Sequence, residues 1–178
     1  MSDKARHEER VRQKVREQEA DELYLREAIR KVVLKFLLED RGYLPEEVET
    51  DRAFEVSVDG RVELASTDYV INLGGRRLMA VKCTVTPDSS ERHIVAFCRV
   101  ADRCLIPFSA VTDGMAARVL DTRTGKAVSE GLDSIPRREE AVRMAEGLEP
   151  AVCPADRMEK EKRILLAFES LCCPIDRS

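Results

Sequence analysis

Thr67-Asp68-Tyr69-Val70-Ile71-Asn72-Leu73-Gly74-Gly75-Arg76-Arg77-Leu78-Met79-Ala80-Val81-Lys82 reads as two β-strands joined by a tight turn. Gly74-Gly75 supplies the turn, because a two-residue hairpin needs backbone conformations that glycine adopts without strain. An acid, Asp68, opens the first strand, and a lysine, Lys82, stands near the end of the second. Antiparallel pairing is expected to bring Asp68 and Lys82 together on adjacent strands. Side chains two apart on a strand share a face, so Ala80 and Lys82 look the same way.

Outward from this hairpin, Phe54, Val56 and Val58 alternate with Glu55 and Ser57, and Asp59-Gly60 is a second hairpin signal. Before that strand, Leu25, Ile29, Val32, Val33, Phe36 and Leu37 recur at helical spacing, and Gly42 stops the helix after Arg41. Pro45-Glu46-Glu47 opens a short turn or helix with acids at its positive end. Downstream, Pro87-Asp88-Ser89-Ser90 offers a cap for a helix of about 14 residues, near the usual mean, apolar at Ile94, Val95, Phe97, Cys98 and Ala101. Leu105 to Thr112 is an almost continuous apolar run, which suits a strand buried on both faces. Asp113-Gly114 then turns the chain into a strand over Ala116 to Leu120, which ends at the turn 121–125. Elements in this order make an α/β (α+β) layer pattern.

The two ends differ from the middle. Residues 3–22 carry Asp, Glu, Lys or Arg at more than half of their positions, with no Gly or Pro, and Val11 and Val15 form only a thin apolar stripe. Such a segment is a charged helical or frayed extension, and a coiled coil would need more hydrophobes in its seam. Past Lys126, Ser134 can cap a helix over Pro136–Gly147, and Pro150 and Pro154 punctuate a linker. Met158, Ile164, Leu165, Phe168 and Leu171 stripe a final helix that is expected to dock on the core. The expected organisation is a charged extension over 1–22, a core domain over 23–127 and a helical extension over 128–178.

At 178 residues, 43% hydrophobic and 36% charged, the chain is long enough to bury a core beneath a densely charged surface. No run approaches the ~18 apolar residues of a membrane span. The polar N-terminus lacks the apolar stretch of a signal peptide, so the cytoplasm is the expected location. A net charge of −4 counts against a protein that holds nucleic acid by charge alone. Arg76, Arg77, Lys82, Arg92, Arg99 and Arg103 form the candidate basic patch, with solvated surface charge as the plain alternative. Cys83, Cys98, Cys104, Cys153, Cys172 and Cys173 include no Cys-x-x-Cys pair, so zinc-ligand spacing is absent. Cys83 and Cys98 read as small core residues, Cys172 and Cys173 as exposed and oxidisable.

From the first helix to Gly125 the chain resembles the N-terminal nuclease-like domain of type I restriction enzyme motor subunits, a branch of the PD-(D/E)xK superfamily. The landmarks are the helix ending Asp40-Arg41-Gly42-Tyr43, the strand Asp68-Tyr69-Val70-Ile71, the strand ending Val81-Lys82, and Pro107 through Thr112-Asp113-Gly114 before the last strand. The resemblance implies a restriction-endonuclease-like core, a central mixed sheet of about five strands flanked by helices. It also implies that acids at positions 68 and 80 hold a divalent metal while Lys82 positions or activates the attacking water. Mg²⁺ suits that chemistry, since phosphodiester hydrolysis needs a Lewis acid and hard oxygen ligands hold the ion. Ala80 stands where the second carboxylate belongs. Thr67 replaces a common proline, and the helix from Ser89 to Asp102 lacks the Gln and Tyr often found in active members. Glu91, at the start of that helix, is the candidate for a relocated acid; the plain alternative is a first-turn acid favoured by the helix dipole. Glu63 and Asp88 are weaker candidates.

Two functions follow from the resemblance. The first is a stand-alone, degenerate domain with cleavage lost or weak and Mg²⁺ bound weakly or not at all, acting as a nucleic-acid or protein interaction module. The second is an active Mg²⁺-dependent DNA endonuclease. Its catalytic residues would be Asp68, Lys82 and Glu91, with Asp68 and Glu91 on the metal and Arg76, Arg77 and Arg92 on the DNA. The partners compatible with both are DNA, another protein or a second copy. The chain has no Walker A sequence, so neither a nucleoside triphosphate nor a motor is expected.

Overall fold

The hairpins marked in the sequence form the spine of the fold. The structure, a computed structural model, describes residues 3–172. β1 (Val48–Val58) turns at Asp59-Gly60 into β2 (Arg61–Leu73), which turns at Gly74-Gly75 into β3 (Arg76–Cys83). Gly74 and Gly75 take φ values of 60° and 84°, as the primed hairpin turn requires. β3 crosses through α2 (Pro87–Val100) to β4 (Phe108–Thr112), and these two strands are parallel. A parallel neighbour needs such a long connection, whereas β5 (Ala117–Asp121) and β6 (Lys126–Glu130) follow as antiparallel partners.

The six strands make one mixed sheet in sequence order, one more than expected. β6 is the addition. It is an edge strand exposed at all but one of its five positions, so it carries little of the alternation that marks a strand in sequence. The sheet thereby continues past residue 127.

Strand alternation sets the layers. Tyr69, Ile71, Met79 and Val81 join Val33 of α1 (Asp3–Lys35) and Ala141 and Ala145 of α3 (Arg138–Gly147) in one core. Val70, Ala80 and Val111 face the other way and pack with Ile94 and Phe97 of α2 and Leu165 of α4 (Ala155–Cys172). The result is an α+β fold, a sheet between two helical layers.

Two helix boundaries differ from expectation. α1 runs unbroken from the charged extension into the core helix, then ends in a π-helical turn over Phe36–Asp40, and Gly42 redirects the chain at φ 77°. α3 begins at Arg138, where the Glu140 carboxylate accepts the Arg137 N–H at 3.0 Å, and not under a Ser134 cap. No helix among the described residues is long and apolar enough to cross a membrane. Cys83, Cys98 and Cys153 are buried thiols and Cys104 is exposed. Cys173 lies outside the described residues, as does the side chain of Cys172.

Candidate functional site

Asp68 sits where β2 parts from β3. The ladder runs from Leu73–Arg76, through a bulge between Ile71 and Asn72, to Tyr69–Val81, and one further step sets Asp68 opposite Lys82 on adjacent strands. Beyond that point the Cys83 N–H donates to Asp68 Oδ2 at 2.7 Å, so the side chain takes over a backbone donor. Asp68 Oδ1 accepts from Arg26 Nη2 at 3.0 Å, and Arg30 Nε completes an ion pair at 3.4 Å. Arg26 and Arg30 are four residues apart on α1, which puts both guanidinium groups on one helix face. Asp68 itself is only 1% exposed.

Arg30 is fixed from several sides. It bonds Glu27 at 3.0 Å and Asp51 at 2.6 Å, and lies 5.9 Å from the centre of the Tyr69 ring. The Tyr69 hydroxyl in turn donates to the Arg30 carbonyl at 2.8 Å. Burial works against the Arg30 charge, but Asp68, Tyr69 and Asp51 more than offset it and hold the guanidinium pKa above its ordinary value. Burial, with Asp68 adding to it, pushes the neighbouring Cys83 thiol far up, so that thiol stays protonated. These two arginines were not read from the sequence as part of the site. Their spacing on one face of α1 was visible there, but their partner lies 42 residues away from Arg26.

The other expected site residues point elsewhere. Lys82 Nζ donates to the Ser66 carbonyl at 3.2 Å. Ala80 is fully buried in the apolar cluster of Val70, Ile94, Phe97 and Val111. Glu91 holds Arg118 of β5 at 2.5 Å, and Arg118 also reaches Glu130 at 3.2 Å and Asp88 at 3.5 Å. Strand register places Lys82 opposite Val111, and Val111 opposite Arg118. Glu91 therefore binds a residue two strands beyond Lys82, roughly 10 Å further across the sheet and away from β2. Among the described residues, no group of three or more His, Cys, Asp and Glu side chains is placed to hold a metal ion.

The three arginines expected on nucleic acid have protein partners. Arg76 donates to the carbonyls of Ala145 and Leu148, tying β3 to the end of α3. Arg77 bonds both oxygens of Glu49 at 2.9 and 3.1 Å and reaches Asp102 at 2.5 Å. Arg92 contacts Glu161 of α4 at 2.8 Å. Five residues of strand separate Arg77 from Lys82, roughly 17 Å, so Arg77 and Asp68 belong to opposite ends of the sheet. Near Arg77 lies a cleft of about 430 Å³ lined by Arg103, Phe108, Arg123, Leu148 and Pro150.

Comparison with curated proteins and with solved structures gives no match. Residues 26–136, well over half of the chain, match the family described as Type I restriction enzyme R protein N terminus. That stretch starts at Arg26 and takes in the six strands, α2 and the segment with Asp68 and Lys82. The chain belongs to the type I restriction enzyme R protein N-terminal family.

Proposed function

We propose that this chain is a restriction-endonuclease-like domain that has given up cleavage and works as an interaction module. The observation that carries the reading is the state of Asp68, whose two carboxylate oxygens are taken by Arg26, Arg30 and the Cys83 N–H. Domains of this kind use Mg²⁺, and a metal would need those oxygens together with a second acid. The two guanidinium groups already supply the positive charge that a dication would bring, and Ala80 offers no oxygen. The donor set does not fit the ion. Mg²⁺ gives up its waters reluctantly even for better sites.

The relocated-acid reading gains no support from Glu91, which neutralises Arg118. A protein partner is favoured over DNA. Arg76, Arg77 and Arg92 are engaged in holding the fold, and the net charge is −4. Phosphate binding depends on cations free to meet it.

Nicking of supercoiled plasmid by the purified full chain in Mn²⁺, beside calorimetry with Mn²⁺, tests this. The expected result is no nicking and no one-site heat. Nicking that disappears in Asp68→Asn would overturn the proposal and restore the endonuclease reading.

A further inference from the structure

The N-terminal part of α1 has no core to cover. Residues 8–25 are exposed at every position except Glu19, so about five turns of helix project from the body. Most helical stability in proteins comes from packing an apolar face, and this segment packs none. Val11, Val15 and Leu25 are between 45% and 50% exposed, and with Gln18 and Glu22 they follow the alternating four- and three-residue spacing of a coiled-coil seam.

The charges of this rod are segregated. Past Glu8 and Glu9 at its start, Arg10, Arg12, Lys14 and Arg16 run without an intervening acid, and Glu17, Glu19, Asp21 and Glu22 follow without an intervening base. Within one helix this order is unfavourable, because Arg10 and Lys14, Arg12 and Arg16, and Glu17 and Asp21 are like charges four residues apart. An antiparallel second helix relieves it. The sign changes between residues 16 and 17, which is also the midpoint of the exposed span 8–25. Aligning two such spans end to end therefore lays each basic half on the acidic half of the other. In that register the positions flanking the seam pair Arg12 with Glu19 of the second copy and Lys14 with Asp21 of the second copy. Two-fold symmetry repeats both pairs.

We infer that the projecting half of α1 docks antiparallel on the same segment of a second copy of this chain, making a charge-matched two-fold dimer. The bodies then lie at opposite ends of the helix pair. The seam buries few apolar groups, so the ion pairs set register and affinity, and the dimer is sensitive to salt.

Sedimentation equilibrium of the full chain in low and high salt tests the inference, with circular dichroism confirming that each variant keeps its helix content. A dimer in low salt that dissociates in about 1 M salt is expected. Lys14→Glu should weaken it about tenfold, since both symmetric pairs become repulsive. Adding Asp21→Lys to Lys14→Glu should restore it, whereas adding Glu19→Lys should weaken it further. A monomer at every salt and protein concentration would overturn the inference, as would a dimer indifferent to Lys14→Glu. Rescue by Glu19→Lys in place of Asp21→Lys would mean a parallel pair and overturn it equally.

Discussion

A carboxylate as deeply buried as Asp68 persists only where donors surround it, and three of them do. The placement of Asp68 and Lys82 on adjacent strands was legible in sequence, because Gly74-Gly75 marks the turn. Their register was not, since a bulge between Ile71 and Asn72 shifts the pairing by one residue, and the two side chains take separate partners. The capture of Asp68 by Arg26 and Arg30 was not, since helix spacing tells which side chains share a face but not what the face meets. Position 80 shows the same limit. Alternation puts Ala80 and Lys82 on one face, but only tertiary structure shows that α2 seals that face over Ala80. A carboxylate at position 80 looked, on sequence grounds, like the missing metal ligand. It would enter a dry apolar cluster instead. Ala80→Glu should lower the unfolding free energy by about 3 kcal/mol or more in urea titrations, with Mn²⁺ giving no recovery. A variant that is clearly more stable in Mn²⁺ than in chelator would show that position 80 opens onto a metal site.

The attachment of α4 to α2 rests on one buried charge cluster as well as on leucines. Arg99 and Glu161, each nearly inaccessible, meet at 2.7 Å, and Arg99 also donates to the carbonyls of Thr122 and Arg123. The two ends of the pair respond differently to burial. Burial would raise Glu161, but Arg92 and Arg99 outweigh it and hold the carboxyl below its ordinary 4.5. Burial lowers Arg99 more than Glu161 raises it, although a guanidinium keeps its charge at any pH where the protein folds. Glu161 is therefore the end that titrates. A carboxyl with a lower pKa folded than unfolded contributes its stability above the unfolded value, and loses it as the pH falls through the folded value. Glu161→Gln should cost about 3 kcal/mol at neutral pH by leaving Arg99 unpaired, and the gap to wild type should shrink below about pH 4. Chemical denaturation at pH 7 and pH 3 checks this, and an equal gap at both would refute it. The apolar stripe of α4 was legible. Its salt-bridge anchor was not, because Arg99 and Glu161 are 62 residues apart and each reads locally as a surface charge.

At the scale of the molecule, sequence periodicity gave away the layers, because each face of the sheet needs a helical cover and each amphipathic helix needs a sheet. The docking of the final helix on the core was expected too, but periodicity did not show which face of the sheet each helix outside the family match covers. Ala141 and Ala145 of α3 belong to the core on the α1 side, and Leu165 and Leu166 of α4 to the core on the α2 side. Burying two leucines alone is worth about 5 kcal/mol, comparable to the whole stability of an ordinary domain. Residues 26–136 by themselves would expose Val56, Ala65 and part of α2 and leave Arg99 without Glu161. That fragment should unfold without a sharp transition and bind a hydrophobic dye. Residues 26–178, which lack only the projecting part of α1, should melt cooperatively within a few degrees of the full chain when both are monomeric, because residues 8–25 cover no core. Calorimetry of the two fragments separates the contributions. A cooperative 26–136 fragment as stable as the full chain would mean that α3 and α4 are accessories, and that the family's core stands without them.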